Sequence, residues 1–81
     1  MMRTEEEILK EFEELGYEVD NDDVALILSL QETLGTITKY ITIFISKRRK
    51  LYITRSGSIG MEEHKLLSEL FTVWGWIEND R

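Results

Sequence analysis

The chain has 81 residues, with no cysteine and no proline, and sixteen acidic against ten basic residues give a net charge of −6. The length allows one domain and excludes multi-domain enzymes and folds with a long series of βαβ units. A chain without cysteine has no disulfides, thiolate metal sites or cysteine nucleophiles. The polar start lacks the apolar stretch of a signal peptide, and every apolar run is too short to span a bilayer. We therefore expect a single cytoplasmic domain over residues 1–81 that does not bind membranes.

A helix from Thr4 to Leu15 is the first element that the sequence predicts. Thr4 and Glu7 match a capping box, in which the Thr4 hydroxyl accepts the Glu7 N–H and the Glu7 carboxylate accepts the Thr4 N–H. Apolar residues then recur at helical spacing, and three glutamates occupy the first turn, where the helix dipole favours anions. Gly16 suits the left-handed position that follows a helix, so we expect the helix to end before it.

The middle of the chain predicts three strands. Asn21–Asp23 is a turn signal, and the apolar run Val24–Leu30 favours a strand, with a helical turn as the alternative. Gln31–Gly35 is interpreted as a loop that pivots on its glycine. Alternation of isoleucine with polar or aromatic residues predicts a second strand over Thr36–Ser46 and a third over Leu51–Thr54.

A β-hairpin with the basic loop Lys47–Lys50 is expected to join the last two strands. Its register would set four apolar side chains on one face and an aromatic pair on the other. The predicted pairs are Ile45 with Leu51, Ile43 with Ile53 and, on the opposite face, Phe44 with Tyr52.

A second helix is predicted from Gly60 to Trp74 by its wide apolar stripe. Gly75 fits the position after the helix, and Trp76 and Ile77 are expected to fold back onto its last turn, as in a Schellman motif. Sequential strands with short links form an antiparallel meander, and both helices can cover its isoleucine-rich face. The sequence therefore predicts an α+β fold, a two-layer sandwich of order α-β-β-β-α with a three-stranded sheet.

The sequence contains no recognisable catalytic or metal-binding motif. The only histidine is His64, and because Glu62 and Glu63 lie beside it rather than one turn away, it is interpreted as a structural or surface residue. Ser56–Ser58 lacks the residues of a nucleophile elbow, and Asp20–Asp23 lacks the glycine and distal glutamate of a calcium loop. We therefore expect a protein that is not an enzyme and that uses no cofactor or metal.

Charge is segregated along the chain. Residues 1–23 carry a net charge of −8, residues 24–58 carry +5 and residues 59–81 carry −3. The helices are thus acidic and the predicted hairpin is basic. A charge separation of this size steers the encounter with partners without determining the fold.

Two surfaces are candidates for protein binding. One is a carboxylate surface on the first helix and the turn after it, which would suit a basic groove on a partner protein. The other is the aromatic face of the sheet, which would also suit a second copy of the chain, because dimerisation buries area that a small core lacks. The candidate residues are Glu7, Glu11, Glu14, Asp20, Asp22 and Asp23 on the carboxylate surface, and Tyr40, Phe44 and Tyr52 on the aromatic face.

The basic hairpin is the candidate site for nucleic acid. Lys47, Arg48, Arg49 and Lys50 place four cations on a projecting loop that can contact phosphates, with aromatic residues nearby that can stack on bases. A solvated turn that blunts the sheet edge is the alternative interpretation. Because the chain is acidic overall, nucleic acid is the less favoured partner.

Three short segments have a familiar arrangement. Glu14–Tyr17 ends the first helix, Ile59–Leu67 begins the second, and Trp74–Ile77 closes it. In these segments and in its overall layout the chain resembles small acidic phage and prophage proteins of unknown function from Gram-positive bacteria. The layout is also similar to some anti-CRISPR inhibitors of Cas9. The resemblance implies a protein that binds or inhibits a host or phage protein, and it assigns no role to individual residues.

These observations together favour a non-enzymatic, cytoplasmic protein-interaction module of phage or prophage type. A nucleic-acid-binding protein and a homodimeric structural protein are the alternatives.

Overall fold

Residues 3–55 and 59–76 are described by the structure, a computed structural model. Within them, four antiparallel strands form one sheet of order β1-β2-β3-β4 between two helices in the chain. The predicted α+β class is confirmed, but the sheet has four strands and not three. The elements are α1 (Glu5–Glu14), β1 (Glu18–Asn21), β2 (Ala25–Leu34), β3 (Ile37–Ser46), β4 (Leu51–Arg55) and α2 (Met61–Val73).

Both helices contribute to a single core on one face of the sheet. Ile8 and Phe12 from α1 and three leucines from α2 are buried against β2 and β3. Alternate residues of the strands point to this face, as the period of two in a strand requires. The buried core consists of Ile8, Phe12, Tyr17, Leu26, Leu28, Ile41, Ile43, Ile45, Leu66, Leu67 and Leu70.

The helix ends were predicted correctly because their capping chemistry is local. The capping box of α1 is present, with the Glu7 N–H donating to the Thr4 hydroxyl over 3.3 Å and the Thr4 N–H donating to the Glu7 carboxylate over 2.9 Å. Gly16 and Gly75 follow the two helices with φ of 103° and 79°, the left-handed conformation that favours glycine. Each glycine N–H bonds back to the helix, so both ends are Schellman motifs.

Each of the two Schellman motifs contains its own aromatic pair. In the first, the Tyr17 N–H donates to the Phe12 carbonyl, and the two rings meet edge to face with centroids 5.5 Å apart. In the second, the Trp76 N–H donates to the Phe71 carbonyl, and those rings stack at 5.0 Å. Each helix therefore ends in the same pattern, an aromatic pair that spans a left-handed glycine. The predicted return of Trp76 is confirmed, and Ile77 lies outside the described residues.

Strand β1 was not predicted. The turn signal at Asn21–Asp23 is correct, because one Asp22 carboxylate oxygen accepts the N–H groups of Val24 and Ala25, each over 2.8 Å. The residues before this turn fold back along β2 and pair with it, which makes β2 a central strand. A four-residue strand with one half-buried side chain, Val19, has too little alternation to be seen in the sequence.

Strands β2 and β3 continue well beyond the helices. Gln31–Leu34, predicted as a loop, pairs with the first residues of β3, and only Gly35 and Thr36 form the turn. Gly35 has a φ of 63° while Thr36 does not have a positive φ, the pattern of a type II′ hairpin turn. We call Gln31–Tyr40 the distal arm. It lengthens the molecule, which measures 44 × 25 × 19 Å.

The predicted register of the last hairpin is wrong by one residue. The Cα of Ile53 pairs with that of Phe44, and the Cα of Tyr52 pairs with that of Ile45. The loop Lys47–Lys50 has four residues, and its last residue, Lys50, takes a left-handed φ of 56°. The sequence contains no signal for this loop conformation, and the shift of one residue moves Ile53 to the outer face and Thr54 to the core face. The other predicted pairs are replaced by Leu51 with Ser46 and Thr54 with Ile43.

Candidate functional site

The face of the sheet away from the helices carries a row of large apolar side chains. The register aligns Ile27, Phe44 and Ile53 on three neighbouring strands, with Asp20 of β1 at the end of the row. Phe44 is 40% exposed and Ile53 is 57% exposed, and no described helix lies over them. With Thr42 they line a shallow groove of about 460 Å³. We call Ile27, Phe44 and Ile53 the outer-face row.

An acidic rim borders the outer-face row on one side. Glu18 and Asp20 are exposed residues of the edge strand β1, and they pair with Ser29 and Ile27. Their alternation with the half-buried Val19 places both carboxylates on the uncovered face. Asp20, which the sequence analysis assigned to the carboxylate surface of the first helix and the turn after it, therefore lies on the outer face of the sheet, with Glu18 beside it.

A basic group borders the row on the other side. Exposed Arg49 lines a second depression together with Phe44, Ser46 and Ile53, which places this residue beside the outer-face row. Its backbone N–H donates to the Ser46 hydroxyl over 3.3 Å, which holds the loop against the end of β3. The outer face thus runs from acidic on β1, through apolar, to basic beside β4.

Tyr40 lies on the same face but apart from the row. It is exposed on the distal arm, four residues from Phe44 along β3. With Gly16, Ser29 and Gln31 it lines a smaller depression at the base of the arm. The structure therefore separates Tyr40 from Phe44. The side chain of Tyr52 lies outside the described residues, and its predicted pairing with Phe44 is wrong.

The predicted carboxylate surface on α1 is largely occupied by contacts within the chain. Thr4 donates its N–H and its hydroxyl to the Glu7 carboxylate, which holds the pKa of Glu7 below its usual value. Glu11 binds Arg3 at 2.6 Å, and Arg3 also binds Glu69 of α2. These two carboxylates raise the pKa of the Arg3 guanidinium. Two of the three predicted helix carboxylates therefore hold the fold together.

Other acidic residues near α1 also have structural contacts. The indole N–H of Trp74 donates to Glu5, which joins the end of α2 to the start of α1. The two N–H donors of the β1–β2 turn hold the pKa of Asp22 below its usual value. Exposed positions remain at Glu14 and Asp23, on either side of β1. The carboxylates that sequence analysis grouped together are thus divided between structural and exposed roles.

The residues of the basic loop also differ in role, because one of them has partners within the chain and the others are exposed. The Lys47 ammonium donates to the Asn21 side-chain oxygen at 2.6 Å and to the Asp22 carbonyl at 2.5 Å, and it lies 5.3 Å from the centre of the Trp74 ring. Lys47 therefore anchors the loop to the β1–β2 turn. The other three loop residues, Arg48, Arg49 and Lys50, are exposed.

The described residues contain no group that could hold a metal ion. Among residues 3–55 and 59–76, no three histidine or acidic side chains come close enough to hold a metal ion. His64 is exposed on α2. Burial, with the hydrogen bond from its hydroxyl to Glu63 at 3.0 Å, raises the pKa of Tyr17, so this phenol stays protonated and joins α2 to the core. No helix within the same ranges is long and apolar enough to cross a bilayer.

Two members of the outer-face row were missed in the sequence. Ile27 lies in a run that is apolar on both faces of β2, so periodicity alone does not assign its side chain to either face of the sheet. Ile53 was placed on the core face by the wrong hairpin register. Phe44 was identified because it alternates with Ile43 and Ile45, which assigns it to the face opposite the isoleucines.

Comparisons of the chain with protein-family profiles, curated protein sequences and solved structures find no match. The resemblance to phage and prophage proteins therefore stays a prediction, and the case for a function depends on the surfaces described above.

Proposed function

We propose that this protein is a non-enzymatic protein-interaction module that binds its partner through the outer face of the sheet. The observation that supports this most directly is the outer-face row, in which Ile27, Phe44 and Ile53 meet on three adjacent strands and no element among residues 3–55 and 59–76 covers them. Large apolar side chains grouped on a surface mark interfaces. Burying one fully yields about 1.5–3 kcal/mol. Three together can anchor a partner.

The charged borders add specificity to this surface. Glu18 and Asp20 on one side and Arg49 on the other would favour a partner with the complementary order of charges and disfavour others. The carboxylate surface of α1 contributes less to the proposal, because Glu7 and Glu11 already have intramolecular partners.

We extend the proposal to the biological setting that the sequence resemblance implies. The module would belong to a phage or prophage, act in the cytoplasm, and bind or inhibit a host or phage protein. The small sheet and its outer-face row suit such a role, since an inhibitor needs a contact surface and no catalytic machinery.

Affinity capture from a bacterial lysate tests the proposal. The bait is the tagged chain, and the variant is Phe44→Asp, which places a charge in the centre of the row. The matched control is Met61→Asp, which makes the same change at a 77% exposed apolar residue in the first turn of α2. We expect captured proteins, or a captured second copy, to disappear with Phe44→Asp and to remain with Met61→Asp. Equal capture by both variants would contradict the proposal.

Nucleic-acid binding through the basic loop is a second candidate, supported by the three exposed cations Arg48, Arg49 and Lys50. This function predicts an affinity for single- or double-stranded oligonucleotides that falls steeply with salt and is lost in the variant Arg48→Ala with Arg49→Ala. Binding that is insensitive to salt and to the double substitution would reject it.

A further inference from the structure

We infer that the outer face binds a second copy of the chain, with the two sheets packed face to face about a two-fold axis parallel to the strands. This inference rests on the proposed function and specifies the partner. Its basis is the order of chemical groups across the sheet. Acidic side chains lie on the β1 edge, apolar side chains lie in the middle, and a basic side chain lies on the β4 side.

The register shows what this axis would bring together. Cα partners form a row from Asp20 through Ile27 and Phe44 to Ile53. A two-fold axis parallel to the strands keeps the level of each row and reverses its direction. Ile27 of one copy then lies over Phe44 of the other, and β1 lies over β4. The sheets pack about 10 Å apart, the normal spacing of stacked sheets.

Charge selects this axis over the alternative. With the axis parallel to the strands, Asp20 of each copy lies over Ile53 of the other copy, beside the depression that Ile53 shares with Arg49. A two-fold axis perpendicular to the strands would place β1 over β1 and bring four carboxylates together, which is unfavourable. An isologous interface requires a self-complementary surface, and the acidic-apolar-basic order provides one.

The size of the face predicts a weak dimer. The four strands are aligned over four residues, which at about 4.8 Å between strands and about 3.3 Å per residue cover about 250 Å² in plan. A standard interface buries about 800 Å² on each partner. The distal arms extend the facing surfaces, with Tyr40 of one copy at the level of Gln31 of the other, because these residues are Cα partners on the same face. We therefore expect a dimer that dissociates in the micromolar range and is detectable by dilution.

A charge-swap experiment tests the inference. Sedimentation equilibrium is measured over a dilution series for the unchanged chain, for Asp20→Lys, for Arg49→Glu, and for the two changes together. Each single variant brings like charges together across the axis and should weaken the dimer about tenfold. The double variant restores opposite charges and should return the dissociation constant close to that of the unchanged chain. Glu13→Lys is the control, since it changes the charge equally on the exposed side of α1, in the other layer.

The outcomes separate this inference from the proposed function. Rescue in the double variant, with no effect of Glu13→Lys, would support the two-fold arrangement. A monomer at all concentrations, or single variants that weaken the dimer without rescue, would overturn it. If the chain is monomeric and Phe44→Asp still abolishes capture of another protein, the outer face is an interaction site and only the identity of the partner is wrong. If neither dimer nor capture depends on Phe44, both proposals fail.

Discussion

Strands β2 and β3 each have two halves that differ in what lies above them. The near halves, Ala25–Leu30 and Ile41–Ser46, are covered by both helices, whereas the distal arm extends past the helices into solvent. Leu28 and Leu34 illustrate the contrast, because they share a strand and a face, yet Leu28 is 0% exposed and Leu34 is 69% exposed. Alternation in a sequence determines the face of a side chain, but burial depends on a cover from elsewhere in the chain.

The two halves are consequently held together by different forces. The near half combines its ladder of hydrogen bonds with a packed core, while the arm has the ladder, the Gly35 turn and an Oγ1–Oγ1 contact of 3.3 Å between Thr33 and Thr38. A two-stranded hairpin on its own is marginally stable in water. We therefore expect the arm to open at lower cost than the core.

The largest expected effect comes from one substitution made in both halves. Leu28→Ala removes a fully buried side chain and should lower the free energy of unfolding by about 2–5 kcal/mol. Leu34→Ala removes the same atoms from an exposed position and should change it by less than about 0.5 kcal/mol. Urea titrations of both variants measure the difference. Equal losses would show that the arm is packed in solution as tightly as the core.

Local chemistry explains which parts of the fold could be predicted from sequence. The ends of α1 and α2 depend on residues within one turn of each other, such as Thr4 with Glu7 and the glycines with their neighbours, so both helices were located to within a residue. The first part of the arm, Gln31–Gly35, was interpreted as a loop because Gln31–Thr33 interrupts the apolar run of β2. Those residues form a strand because their backbone pairs with β3, although they have no apolar face to bury.

The candidate site was harder to predict than the fold. Whether Phe44 has Tyr52 or Ile53 as its neighbour depends on a single residue in the loop Lys47–Lys50, and the left-handed Lys50 was not recognisable in advance. Arg3 binds both Glu11 of α1 and Glu69 of α2, so it connects segments that are distant in the chain. Sequence periodicity contains no information about such contacts.

A second prediction concerns a substitution that destabilises α1, which covers the near half, without changing a residue of the sheet. Thr4→Ala removes the capping hydroxyl of α1 and should lower the free energy of unfolding by about 1 kcal/mol. Amide exchange should accelerate in α1 and in the core strands beneath it, while the arm should exchange at its original rate. Thr36→Ala is the control, since it truncates a threonine in the arm turn. Faster exchange in the arm would show that the two halves open together.

A third prediction removes the arm. Residues 31–40 are replaced by Asn-Gly, which joins Leu30 directly to its Cα partner Ile41 in a two-residue hairpin. Because loop-closure entropy depends weakly on length, the free energy of unfolding should change by less than about 1 kcal/mol. Thermal unfolding followed by tryptophan fluorescence measures this. A chain that no longer folds would show that the arm supports the near half, contrary to the comparison.

The smallest expected effect is a pH dependence confined to the near half. The folded state holds the pKa of Asp22 below its usual value of 3.8, because its carboxylate accepts two N–H groups in the β1–β2 turn. The stabilisation is therefore complete above that usual value and is lost as the pH falls through the lowered pKa.

The arm turn, Leu34–Ile37, has no titratable group. As the pH falls below 3.8, amide protection of Val24 and Ala25 should fall relative to that of the arm turn. Asp22→Asn should remove this fall, because an asparagine oxygen accepts the same bonds without titrating. Glu7→Gln, which alters the other carboxyl with a lowered pKa, should leave the change at Val24 in place. A fall in the Asp22→Asn variant as large as in the unchanged chain would assign the pH dependence to another group.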